Sequence, residues 1–94
     1  MAMSELEQKF HDAVEKVRTA PADGVFKPSN EYKLRMYALF RQATDGDVSG
    51  KKPGMLDLIG RFKYQAWESV KGSSCEEAMR QYIAEVAKVE AQYR

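Results

Sequence analysis

Apolar residues recur along this chain at intervals of three and four, the spacing that puts side chains on one stripe of a helix. Leu6, Phe10, Ala13, Val14 and Val17 form the first stripe. It follows Ser4-x-x-Glu7, a capping box in which a hydroxyl and a carboxylate satisfy backbone donors left open at a helix start. Pro21 ends this helix, and residues 20–28, with two prolines and Gly24, read as a loop in which Val25 and Phe26 anchor onto the core. A second helix starts at Pro28-Ser29, with Ser29 as N-cap and Glu31 in the electropositive first turn. Leu34, Met36, Tyr37, Leu39, Phe40 and Ala43 give it an apolar face broad enough for more than one neighbour, and Gly46 stops it.

The pattern predicts a third helix over Leu58 to Lys71, with Leu58, Ile59, Phe62, Ala66, Trp67 and Val70 sharing a face and Gly72 as terminator. A fourth begins at a second capping box, Ser74-x-x-Glu77, and carries Met79, Tyr82, Ile83, Val86 and Tyr93. No stretch alternates at period two, so a sheet is not expected and the fold class is all-α, a four-helix bundle. Between helices 2 and 3 lie Gly46, Gly50, Pro53 and Gly54. That loop of about ten residues is longer than an antiparallel hairpin needs, which allows the two helices to run parallel with a crossover.

At 94 residues the chain suits one domain spanning residues 1–94. Lys plus Arg 15 against Asp plus Glu 14 leaves no global field to drive nucleic-acid binding, so any anion site must be local. The N-terminus lacks the basic and apolar segments of a secretory signal, and no run approaches the ~18 apolar residues that span a bilayer. A soluble, cytoplasmic, monomeric protein is the expectation. Cys75 cannot pair within the chain and reads as a tolerated helix-start residue, because the sole histidine, His11, is distant in sequence.

Candidate chemistry concentrates in residues 37–67. Tyr37 and Arg41 stand four apart on one side of helix 2, and Lys63 lies on helix 3. A phosphate would be served by Arg41 as a fork donor, Lys63 as a point charge and Tyr37 as a neutral donor. Phe40 could offer a face to a purine. Spacing alone favours a solvated Arg and Lys above a core Tyr and Phe. The run Gly46-Asp47-Val48-Ser49-Gly50-Lys51 is one residue short of a phosphate-binding loop, lacks Ser/Thr after the lysine and follows a helix. Glu76, Glu77, Glu85 and Glu90 have no histidine beside them and suit caps and a solvated face. No nucleophile, base and orienting group occur together, so the sequence argues against an enzyme and for no cofactor.

Tyr37, Gln42-Ala43-Thr44 with Gly46-Asp47, Lys52-Pro53-Gly54-Met55-Leu56-Asp57, and Lys63 with Ala66-Trp67 together resemble the acyl-CoA-binding protein family. The resemblance runs from Phe10 to Tyr93. It implies an up-down-down-up bundle that binds medium- to long-chain acyl-CoA without chemistry, buffers and transports it, and makes transient contact with membranes or acyl-CoA-using enzymes. By resemblance Tyr37 and Lys63 match the family's phosphate-binding tyrosine and lysine, Tyr82 its helix-4 tyrosine, and Arg18 the basic residue near the end of helix 1. Arg41 stands where lysine is usual, Phe40 where tyrosine is common, and Ile59 where lysine is often seen. The loop from Asp23 to Pro28 is longer than in short members, and Leu34, Met36 and Val25 are candidates to line the acyl groove. The implied acyl-CoA-binding set is thus Arg18, Tyr37, Phe40, Arg41, Lys63 and Tyr82, with Trp67 in the core. Two alternatives remain: a helical protein-interaction module, or the acyl-CoA-binding domain of a larger lipid-metabolism enzyme.

Overall fold

The computed structural model describes residues 4–20 and 28–92. Four helices follow in order: α1 (Glu5–Thr19), α2 (Asn30–Asp45), α3 (Leu58–Glu68) and α4 (Cys75–Gln92). Among the described residues there is no strand, and no helix is long and apolar enough to cross a membrane. The readings of Pro21, Val25, Phe26 and Tyr93 lie outside the described residues.

The helix starts follow local chemistry. Ser4 Oγ accepts from Glu7 N at 3.1 Å while Ser4 N donates to Glu7 Oε1 at 3.5 Å, completing the expected box. Ser29 Oγ accepts from Tyr32 N at 3.0 Å, and Ser74 Oγ from Glu77 N at 3.0 Å. The second box is only half formed. The Glu77 carboxylate instead accepts from Gln81 Nε2 at 3.1 Å and faces Arg80. At α3 the cap is Asp57, whose Oδ1 accepts from Gly60 N at 3.0 Å. A Cβ on residue 60 would meet that carboxylate as it is placed, so a larger residue there would require the Asp57 side chain to shift.

Helix ends are equally local at α2, where Gly46 takes φ 82° and its N–H returns to Gln42 O. α3 is shorter than the apolar spacing suggests. It ends at Glu68, and tighter bonds from Val70 N to Trp67 O (3.1 Å) and Lys71 N to Glu68 O (3.1 Å) carry the chain onward. Gly72, at φ 97°, then donates its N–H to Asp47 Oδ1 at 2.9 Å, an anchor that draws the chain off the helical path.

Side-chain pairs fix the topology. Phe10 meets Tyr82 and Lys16 meets Glu90, so α1 and α4 run parallel. Arg35 pairs with Glu85 at 3.2 Å while Gln42 reaches Ser73 O at 2.7 Å, so α2 and α4 are antiparallel. Tyr37 lies beside Lys63 and Arg41 beside Trp67, so α2 and α3 are parallel, as the long crossover loop allows. The directions are up, down, down, up.

The core is one cluster of Phe10, Ala13, Met36, Leu39, Ala43, Ala78, Tyr82 and Val86, drawn from α1, α2 and α4. Phe10 is wholly enclosed, edge-on to Tyr82 at 5.2 Å and stacked on Phe40 at 6.2 Å. The shared face expected on α3 is not buried as a unit. Trp67 is covered, but Leu58, Ile59 (70% exposed) and Phe62 (54% exposed) face solvent, because among the described residues α3 packs against α2 and no second helix lies over that side.

Candidate functional site

The parallel pairing of α2 and α3 brings the cationic and aromatic side chains into one group. Lys63 Nζ lies 5.4 Å from the Tyr37 ring centroid, and the Arg41 guanidinium lies 4.6 Å from that of Trp67. Both are within the range where a ring's negative face attracts a cation, worth about 0.5–2 kcal/mol depending on desolvation. Trp67 is therefore a floor for Arg41 as well as a buried residue. Its own N–H donates to Gly46 O at 2.8 Å, which ties the end of α3 to the end of α2.

Arg41 has a second restraint that the sequence reading passed over. Its Nη1 stands 2.9 Å from Asp45 Oδ2, one helical turn on. The i, i+4 spacing is visible in the sequence and could have revealed this pair. Arg41 Nε is buried without an acceptor among the described residues.

Beneath this group sits Gln42, fully buried. Its Nε2 donates to Asp47 Oδ1 (2.8 Å) and to Ser73 O (2.7 Å), and the same carboxylate oxygen accepts from Gly72 N. One amide thus joins α2, the loop after it and the connection into α4. The backbone bond from Gly72, followed by that from Gln42, holds the Asp47 carboxyl below the ordinary aspartate value.

The remaining candidates are distributed. Phe40 is half-buried on α2 with one face against Phe10. Tyr82 is 4% exposed and packed in the core, where burial, then the neighbouring Tyr32, pushes its phenol above the usual tyrosine value. Its place is with Phe10 rather than on the surface with Lys63. Arg18 is exposed near the end of α1 and pairs with Glu15 on its own helix at 3.1 Å. Tyr37, Arg41 and Lys63 are thus gathered at the α2–α3 edge, Phe40 joins Tyr82 through Phe10, and Arg18 meets a partner on α1.

Of the expected groove residues, Met36 is in the core and Val25 lies outside the described residues. Leu34 lines an open cavity of about 280 Å³ between α2 and the α3 end, with Glu31, Arg35, Ala38, Ala66, Ser69 and Val70. The apolar wall of this cavity suits hydrocarbon, and its volume lies at the small end for a ligand pocket.

Comparison with known proteins gives a concordant result. A family model described as Acyl CoA binding protein matches residues 7–86. The acyl-CoA-binding protein of Gossypium hirsutum is 43% identical over 81 residues, covering 86% of each chain. Acyl-CoA-binding domain-containing protein 5 of Rattus norvegicus is 41% identical over 83 residues; the match takes in 88% of this chain, which spans only 16% of that relative's length. Among solved structures, the crystal structure of Oryza sativa Acyl-CoA-Binding Protein 2 superposes with a TM-score of 0.83 at 40% identity, covering 93% of this chain and 92% of the other.

Proposed function

Because this chain belongs to the acyl-CoA-binding protein family, we propose that it binds medium- to long-chain acyl-CoA thioesters reversibly, buffering and carrying them without chemical change. The observation that carries this reading is the Tyr37–Arg41–Lys63 group, three donors of different kinds held on one edge by the parallel α2–α3 pair. A phosphate accepts from a guanidinium fork, an ammonium and a phenol at once, and such charge-assisted bonds are stronger than neutral ones. The CoA 3′-phosphate is assigned to them. Phe40 takes the adenine on the ring face not turned to Phe10, since base–aromatic stacking contributes about 1–3 kcal/mol per base. Arg18 supports the headgroup after leaving Glu15, an exposed pair that costs under about 1 kcal/mol to open. Tyr82 supports it from below by holding Phe10 against Phe40.

The thioester's chain supplies most of the affinity. Burial contributes ~0.8 kcal/mol per methylene, so a dozen buried groups give on the order of 10 kcal/mol before ordering costs. Free CoA and free fatty acid each forgo one half of this and bind far less well.

Isothermal titration with palmitoyl-CoA below its micelle concentration, with CoA, palmitate and the dephospho-CoA thioester alongside, tests the reading. One-to-one binding of the thioester, weakened at least about tenfold without the 3′-phosphate, is expected. Equal binding of the two thioesters removes the phosphate assignment, and no heat with either leaves a protein-interaction module. A second setting, the same binding unit within a longer protein, is supported by the rat relative's length; the size of the native protein on an immunoblot decides it.

A further inference from the structure

Within the Tyr37–Arg41–Lys63 group one donor already holds an anion. Asp45 Oδ2 stands 2.9 Å from Arg41 Nη1, whereas Lys63 enters no ion pair among the described residues. The stability of α2 does not account for this carboxylate. Asp45 is the last residue of the helix, at the end where open carbonyls gather negative charge and disfavour an acid. Its pair also runs cation first and acid four residues later, the weaker order on a helix. With 38% of the Arg41 side chain and 43% of the Asp45 side chain exposed, solvent screens the contact and it opens at small cost. The other acids of the connection to α3 do structural work: Asp47 holds Gln42 and Gly72, and Asp57 caps α3. Asp45 turns instead to a cation of the site.

Its effect on a ligand follows from where it sits. Arg41 Nε is enclosed, so an incoming phosphate meets the two terminal nitrogens, and Asp45 holds one of them. A phosphate oxygen bonded to Nη1 at a similar length would lie no more than about 5.8 Å from Asp45 Oδ2, twice the 2.9 Å of the existing pair. At that separation two anions repel even across water, and a dianion is repelled about twice as strongly as a monoanion. The charge offered to the ligand also falls. Arg41 and Lys63 bring +2, and the carboxylate leaves +1.

We propose that Asp45 is a specificity-determining residue of the phosphate site. It holds Arg41 in the free protein, yields it to the ligand's 3′-phosphate, and keeps affinity for that group below what Tyr37, Arg41 and Lys63 alone would give. The inference rests on the assignment of the 3′-phosphate to those three residues. Its consequence is release, because changes at one binding site act mostly on the off-rate, and a standing carboxylate hastens departure of the phosphate.

The experiment is isothermal titration of the wild type, Asp45→Asn and Asp45→Glu with palmitoyl-CoA and with its dephospho-CoA counterpart. Each titration stays below the micelle concentration and is run at low salt and at about 0.3 M salt. At low salt Asp45→Asn is expected to bind palmitoyl-CoA about three- to tenfold more tightly than the wild type, and to gain less than about twofold on the dephospho thioester. Much of the gain disappears at the higher salt. Asp45→Glu keeps the charge and stays within about twofold of the wild type. A urea midpoint certifies each variant as folded. Unchanged affinity of Asp45→Asn, or an equal gain on both thioesters, overturns the proposal. So does a fall in affinity, which makes the carboxylate a support that places Arg41 for the ligand. Equal binding of the two thioesters by the wild type removes the phosphate assignment and the proposal with it, and that result is read without any variant.

Discussion

The unit of α1, α2 and α4 and the region of α3 with its preceding turn use apolar residues in opposite ways. In the first, Phe10, Leu39, Ala78, Tyr82 and Val86 vanish into one cluster, and the polar faces are stitched by ion pairs such as Lys16–Glu90 and Arg35–Glu85. In the second, Trp67 is the one buried side chain of α3, while Leu56, Ile59 and Phe62 remain in solvent near Lys51, Lys52 and Lys63, which enter no ion pair among the described residues. The same residue types are enclosed in one place and open to solvent in the other. What separates them is whether a second helix lies over the face, not how the sequence is spaced.

The sharpest way to break this division is by truncation on both sides. Phe10→Ala is expected to lower the unfolding free energy by about 3–5 kcal/mol in a urea titration, whereas Phe62→Ala should change it by under about 0.5 kcal/mol. Comparable losses would mean that α3's face supports the fold after all. Ligand affinity should show the reverse order. Lys63→Met is expected to weaken palmitoyl-CoA binding about 10- to 100-fold by calorimetry, as for loss of a charged hydrogen bond, while leaving the urea midpoint unchanged. A lowered midpoint with affinity retained would instead make Lys63 a strut between α3 and Tyr37.

Gln42 sharpens the comparison because it belongs to both regions. Gln42→Leu removes the donor shared by Asp47 and Ser73, and the expected cost is about 1–3 kcal/mol, accompanied by faster hydrogen exchange at the Gly72 amide. Slow exchange there after the substitution would show that the loop holds without the amide. The smallest effect is with pH. Asp47 has its folded value below the ordinary 3.8. Its contribution to stability is therefore fully present above that value and is lost as pH falls through the folded value. Asp47→Asn should flatten part of the stability lost in thermal melts as the pH falls below the ordinary aspartate range; an identical acid profile would remove the assignment.

Much of the fold is legible residue by residue. Ser4 with Glu7, Ser29, Gly46 and Ser74 act on backbone groups within four positions, so their signals survive any tertiary context. Loop length allows the parallel course of α2 and α3, and the family resemblance implies it. The exposed face of α3 was not, because i, i+3 and i+4 spacing tells which side chains align and is silent on what covers them. The end of α3 was missed for a related reason: the capture of Gly72 by Asp47 spans 25 residues. Within the site, Arg41–Asp45 was readable on one helix, while Arg41 above Trp67 needed two helices in register. Tyr82 entered the candidate set through resemblance, yet its spacing with Met79, Ile83 and Val86 had already put it on the apolar face the core now occupies.

The pairing of α1 with α4 also has a temporal side. Lys16 and Glu90, on helices packed side by side, are separated by 74 residues. A ribosome adding about 5–20 residues per second takes several seconds or more to bridge that gap. Throughout that interval Phe10, the most enclosed ring among the described residues, has no α4 to cover it, so the nascent chain displays part of its future core before α4 exists to close over it. The first helix is made early and covered late, so its apolar stripe stays open for as long as the synthesis of α4 takes.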